Sequence, residues 1–345
     1  MRAVMITEPA IAEVVERERP VIGVDEVLVR SRVVGLCESD VELYQGKRPE
    51  GYYRYPIVPG HEWSGEVIES GALVHHVVPG DRVVVESVVY CGLCRNCRHG
   101  LTNLCSAGYE ELGFSRHGGL GEYVAVPARL VHALPAETSF EEAALLEPVA
   151  RVAHLFLNTQ PLPGAVVTIV GDGVESLIAV QIANFFHPHA IVLLGFRDER
   201  LQLARQLGAT HAFNMSRVDT QAEILKISDG RGADIVFEGT GHIQAMEEAF
   251  LTACRGGTVL LEGLTSSTAP LSVSCDIFVL KQLKIQGSFG ANAAAWEYAI
   301  RLFTDGQLQL APLISHRFPL DEYQEALDTL VLRMSRALKV LITHE

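Results

Sequence analysis

The chain has 345 residues, which at roughly 150 residues per domain suggests two domains. Hydrophobic residues make up 48% and charged residues 20%, a globular balance that argues against disorder and against a small scaffold that depends on disulfides. The 28 basic and 42 acidic residues leave a net charge of −14, which argues against nucleic acid or an anionic membrane as partner.

The opening run Met1–Ile6 meets Glu8 at once and is too short for a signal-peptide core. No stretch approaches the ~18 apolar residues of a spanning helix, so a cytoplasmic protein with no membrane association is expected. The first third reads as short strands and turns. Residues 27–33 alternate partly at period two, 66–69 and 82–85 are strand-like, and Pro79-Gly80-Asp81 marks a turn.

Four of the seven cysteines form Cys91-x2-Cys94-x2-Cys97-x7-Cys105. Thiolates at these gaps can wrap one tetrahedral zinc, and four cysteines leave no open position, which is the pattern of a structural site. The rival is an iron–sulfur cluster, whose ferredoxin run has a gap of three and then proline; here the gap is seven and Ser106 follows. A second constellation is dispersed. Cys37 stands in Gly35–Asp40, His61-Glu62 follows Pro59-Gly60, and Glu147 precedes Pro148. A catalytic zinc takes three such ligands and keeps one open position, so Cys37, His61 and Glu147 form a candidate set if the fold unites them. Asp40 is placed to fix the His61 tautomer, and Ser39 to take a proton from an alcohol.

The texture changes near residue 150. Apolar runs at 165–170, 190–194, 234–237 and 258–261 alternate with helical stretches that end near 186, 207 and 253. This order predicts a parallel doubly wound sheet, inserted into a mostly β domain that uses both chain ends. The loop Gly171-Asp172-Gly173-Val174-Glu175-Ser176 follows a strand and opens a helix, the context of a dinucleotide fingerprint. Ser176 replaces the third glycine. Asp172 and Glu175 would compete with a phosphate unless they point away. The second strand ends Leu194-Gly195-Phe196-Arg197, with no acid for ribose hydroxyls. That pattern favours NADP over NAD. The alternative is that Arg197 is solvated and Asp198 turns in to serve NAD.

Taken in order, these motifs resemble the zinc-dependent medium-chain alcohol and polyol dehydrogenases over the whole chain. Glu122–Val124, the helix from Arg200 to Ala209 and the tail Leu338–Val340 add to the likeness. The resemblance implies an α/β protein with a GroES-like catalytic domain (1–151 and 288–345), a Rossmann domain (152–287) and the site in the cleft. It implies two zinc ions per chain. Cys37, His61 and Glu147 would hold the catalytic one, with Glu62 ligating during water exchange, and Ser39 would relay the alcohol proton. Gly171, Gly173, Val174, Glu175, Gly195, Arg197 and Arg200 fall to the cofactor site. Glu238–Gly241 (Gly239 among them), Leu264, Ser288 and Phe289 would line the nicotinamide region. A homodimer or homotetramer is usual in the family.

Three departures stand out: Glu38 where a glycine usually follows the zinc cysteine, Ser176, and Gly195. Glu147-Pro148 points to the polyol, sugar-alcohol and threonine side of the family, and 55–65, 111–114, 313–316 and 320–323 look close to cyclitol dehydrogenases. The other readings are a simple alcohol or threonine dehydrogenase, a family member that lost activity, and a zinc-independent quinone reductase, which typically lacks the cysteine lobe. His75, His76, His117, His187, His189, Cys254 and Cys275 read as structural.

Overall fold

The computed structural model describes residues 1–264, 270–332 and 337–344. They divide into two compact units, Met1–Ala150 with Gly290–Glu345, and Arg151–Phe289.

The first unit opens with an antiparallel pair, β1 (Arg2–Glu8) and β2 (Ile11–Glu16). Then come β3 (Glu26–Leu36), helix α1 (Glu38–Gln45), β4 (Glu62–Ser70), β5 (Arg82–Val85) and the short α2 (Arg95–Arg98). β6 (Tyr123–Pro127), β7 (Val131–Leu134) and α3 (Phe140–Ala143) complete its first stretch, and α4 (Leu146–Thr159) leads the chain onward. The strands expected at 27–33, 66–69 and 82–85 lie in β3, β4 and β5. β3 is buried along most of its length, because β4 pairs on one edge while β6 and later β15 pair on the other.

The second unit alternates strand and helix. β8 (Val166–Val170), α5 (Val174–Asn184), β9 (Ala190–Gly195) and α6 (Asp198–Gln206) are followed by β10 (His211–Asn214) and α7 (Thr220–Ile227). Then come β11 (Ala233–Glu238), α8 (Ile243–Thr252), β12 (Ala253–Leu261), α9 (Asp276–Leu280) and β13 (Lys284–Gly287). All pairings are parallel, in the order β10-β9-β8-β11-β12-β13. That is the doubly wound arrangement, with its reversal of direction between β8 and β11. β8 and β9 are buried at every position, as the unbroken apolar runs require.

The chain then returns to the first unit through α10 (Ala293–Thr304), β14 (Ile314–Pro319), α11 (Tyr323–Val331) and β15 (Lys339–Thr343). β14 and β15 extend the first unit's sheet to β14-β15-β3-β4-β5-β7, with β6 on β3. Among the described residues, no helix is long and apolar enough to cross a membrane.

Candidate metal centres and cofactor loop

The register of β3 and β4 assembles the dispersed constellation. The strands are antiparallel with Gly35 opposite Glu62, so Cys37, just past the end of β3, meets His61, just before β4. Cys37 is the N-cap of α1, and its backbone N–H donates to Asp40 Oδ2 at 3.0 Å. Cys37 Sγ lies 3.4 Å from His61 Nε2 and 2.7 Å from Ser39 Oγ, which is itself 3.5 Å from the same nitrogen. The other ring nitrogen, Nδ1, faces Asp40 Oδ1 at 3.6 Å. Glu62 Oε1 is 4.0 Å from His61 Nε2. Its Oε2 accepts from Lys339 Nζ at 2.6 Å, brought there because β15 pairs Val340 with Leu36. A Cβ on Gly35 would sit 2.5 Å from that oxygen, so the close approach requires glycine.

This set fits a zinc ion. Metal bonds of about 2.3 Å to sulfur and 2.1 Å to nitrogen put tetrahedral donors roughly 3.6 Å apart. Donor atoms of Cys37, His61 and Glu62 lie within 4.8 Å of one another. Burial raises the Cys37 pKa above its ordinary value, so a thiolate here calls for nearby positive charge. Burial opposes a charged His61, but the charges of Cys37 and Asp40 outweigh it and hold the imidazole well above its usual pKa. Glu147 stands outside this group. It lies in the first turn of α4, 3% exposed, and accepts from Ser87 Oγ at 3.4 Å. Among the described residues, the carboxylate grouped with Cys37 and His61 is that of Glu62. The sequence reading also gave no role to Lys339, although it lies in the tail Leu338–Val340. Glu38 is exposed and is not among the grouped donors.

The four clustered thiols converge. Cys94 Sγ is 3.4 Å from Cys97 Sγ and 4.0 Å from Cys105 Sγ, and Cys91 Sγ is 4.0 Å from Cys97 Sγ. Zinc bonds of about 2.3 Å give tetrahedral edges of roughly 3.8 Å. Backbone N–H groups of Leu93 and Cys94 donate to Cys91, and those of Cys97 and Ser106 to Cys94. Such donors favour thiolates, and they hold the Cys94 pKa down to about 5. Burial pushes Cys97 the other way, to about 12, a penalty that a shared cation would offset.

In the second unit the glycine loop joins β8 to α5 beside the reversal of strand order, the place where doubly wound sheets bind ligands. Gly173 is the N-cap of α5, and Val174 and Glu175 form its first turn. Ser176 is fully buried under the loop: a Cβ on Gly171 would lie 2.7 Å from its hydroxyl, and one on Gly239 3.2 Å. Serine is small enough for that packing. Asp172 points away from the helix end toward the tip of β9, where Arg197 Nη1 and Arg200 Nη1 lie 3.1 and 3.3 Å from its Oδ1. Asp198 does not turn in; Asn214 and Arg217 hold its two oxygens. Glu238, at the end of β11, is buried and accepts the N–H groups of Thr240 and Gly241. Leu264 is 67% exposed, and Ser288-Phe289 follows β13.

Comparisons with known proteins bear on both units. The alcohol dehydrogenase GroES-like domain model matches residues 23–136, and the zinc-binding dehydrogenase model matches 176–305. An L-threonine 3-dehydrogenase of Anaeromyxobacter sp. (strain Fw109-5) is 33% identical over 94% of this chain and 93% of its own length. A sorbitol dehydrogenase of Bacillus subtilis (strain 168) is 32% identical over 94% of this chain and 91% of its own. A zinc-binding dehydrogenase of Sinorhizobium meliloti 1021, solved bound to NADP, superposes with a TM-score of 0.92 at 28% identity, covering 99% of this chain and 98% of that one. With both family models matched in order and relatives aligned nearly end to end, this chain belongs to the zinc-dependent medium-chain alcohol and polyol dehydrogenase family.

Proposed function

We propose that this protein oxidises a secondary alcohol of the polyol, sugar-alcohol or cyclitol class, or reduces the matching ketone, with NADP as the hydride carrier. The observation that carries the reading is the convergence of Cys37, His61 and Glu62 on one point, with Ser39 beside them. In this reading residues 1–151 and 288–345 are catalytic, and 152–287 hold the cofactor.

A zinc ion held by Cys37, His61 and a carboxylate would act as a Lewis acid on the substrate hydroxyl. Asp40 orients the His61 ring from the far side. Ser39 accepts the hydroxyl proton at Oγ and passes its own outward, and a bound nicotinamide would supply the hydride acceptor. Glu147, buried near the start of α4, is the second carboxylate of this reading and would ligate when Glu62 does not. Cys91, Cys94, Cys97 and Cys105 hold a second, structural zinc. The polyol class is supported by the sorbitol dehydrogenase relative, and a threonine substrate is the second reading, supported by the threonine dehydrogenase relative. NADP is supported by Arg197 and Arg200 at the tip of β9 and by the NADP-bound neighbour. A homo-oligomer, dimer or tetramer, is supported by the edge strand β13 and the end of helix α9 before it, where Val279, Leu280 and Ile285 are 79%, 71% and 45% exposed.

The test is Cys37→Ala. It is expected to keep the fold, bind one zinc per chain in place of two, and lose alcohol turnover by about a thousandfold or more. Full activity in a Cys37→Ala protein shown to lack that zinc would overturn the assignment.

A further inference from the structure

The carboxylate missing from the tip of β9 is delivered from a different strand. Asp172, in the loop after β8, is 6% exposed. Its Oδ2 accepts the backbone N–H of Phe196 at 2.8 Å and of Arg197 at 2.9 Å. Its Oδ1 accepts from Arg197 Nη1 at 3.1 Å and Arg200 Nη1 at 3.3 Å, and Arg200 also donates to the Asp172 carbonyl at 3.0 Å. A Cβ on Gly195 would lie 2.7 Å from Asp172 Cβ, so an acid at 195 and this placement of Asp172 exclude each other.

Four donors fill the carboxylate, which leaves it little capacity for ribose hydroxyls. What it does instead is hold together two guanidiniums that would otherwise repel. The three side chains sum to one positive charge, on planar groups whose geometry suits a phosphate. The backbone they sit on is also pinned: Asn214 Nδ2 donates to Phe196 O at 3.0 Å.

We propose that Asp172 sets the cofactor preference by gathering Arg197 and Arg200 into one fork for a phosphomonoester, the 2′-phosphate of NADP. Asp172 is a positioning residue that acts through the two arginines. The proposal rests on the NADP reading above and deepens it.

The experiment measures NADPH and NADH binding to the zinc-replete protein by nicotinamide fluorescence. The wild type tests the cofactor reading by itself: tighter NADPH supports it, and equal or tighter NADH overturns it. Asp172→Asn then tests the brace. Asparagine keeps an oxygen for the backbone N–H groups but turns an NH2 toward the guanidiniums. The NADPH-to-NADH preference is expected to fall by about tenfold, with NADH binding changed less than about threefold. An unchanged or increased preference overturns the proposal, and so does an equal loss of both cofactors, which would mark a merely structural role. The exchange Asp172→Gly with Gly195→Asp moves the carboxylate to the strand tip. It is expected to favour NADH; a folded exchange protein that still prefers NADPH also overturns the proposal.

Discussion

His344, at the end of β15, is buried, and its Nε2–H donates to the Gly119 carbonyl at 2.8 Å. Burial holds its pKa down at about 4, against 6.5 for the free side chain. The folded chain therefore refuses a proton that the unfolded chain accepts below about pH 6.5. This stability is fully present above that pH and is lost as the pH falls toward 4. At pH 5 the loss from this one residue is about 2 kcal/mol. His117 acts in the same direction, held near 4 by burial and by Arg17 and Arg54. The melting temperature should thus drop between pH 7 and pH 5. His344→Gln, which keeps an N–H for Gly119, should flatten that dependence. Thermal melts across the range check it, and an unaltered slope would remove His344 from the account. At this scale, the sequence made ligand types legible where chemistry compresses them into short spacings, as in Cys91–Cys105 or His61-Glu62. It did not make legible the partners that depend on strand register. Lys339 is 277 residues from Glu62, and Arg197 and Arg200 are 25 and 28 residues from Asp172.

The cysteine loop buries little apolar surface of its own. Its helix α2 has four residues, only one of them buried, Cys97, while Leu93 is 81% exposed. Chain order in such a segment would come from a bound metal more than from a core. Cys94→Ala is expected to lower the melting temperature by about 4 °C, the equivalent of ~3 kcal/mol in a protein of this size. Turnover per folded molecule should stay near wild type. Unchanged melting with slowed catalysis would contradict a structural role. Other elements were legible in proportion to burial. The central strands β8, β9, β11 and β12 stand out as apolar runs, although β12 begins at Ala253, before the run itself. The edge strands β10 and β13 escaped the reading, together with α7. Each of these strands is four residues long; β10 buries only alternate positions and β13 is largely exposed, so neither carries an unbroken apolar run.

At the scale of the whole molecule, the interrupted order of the chain follows from two kinds of pattern. The ends carry short alternating segments, and the middle carries unbroken apolar strands between helices. The strand order β10-β9-β8-β11-β12-β13 is what parallel crossover units of one hand produce around a central β8. The β sheet of the other unit brings together residues from 35 to 62 and from 339, as pairing across β3, β4 and β15 dictates. Substrate identity is not written at this scale, because a fold fixes a scaffold and the site decides the reaction. The most direct measurement is nicotinamide absorbance with purified protein carrying two zinc ions per chain, on polyols, cyclitols, threonine and simple alcohols, each with NAD and with NADP. Turnover of a polyhydroxy secondary alcohol, faster with NADP, is the expected result. No turnover across the panel from that zinc-loaded protein would contradict it.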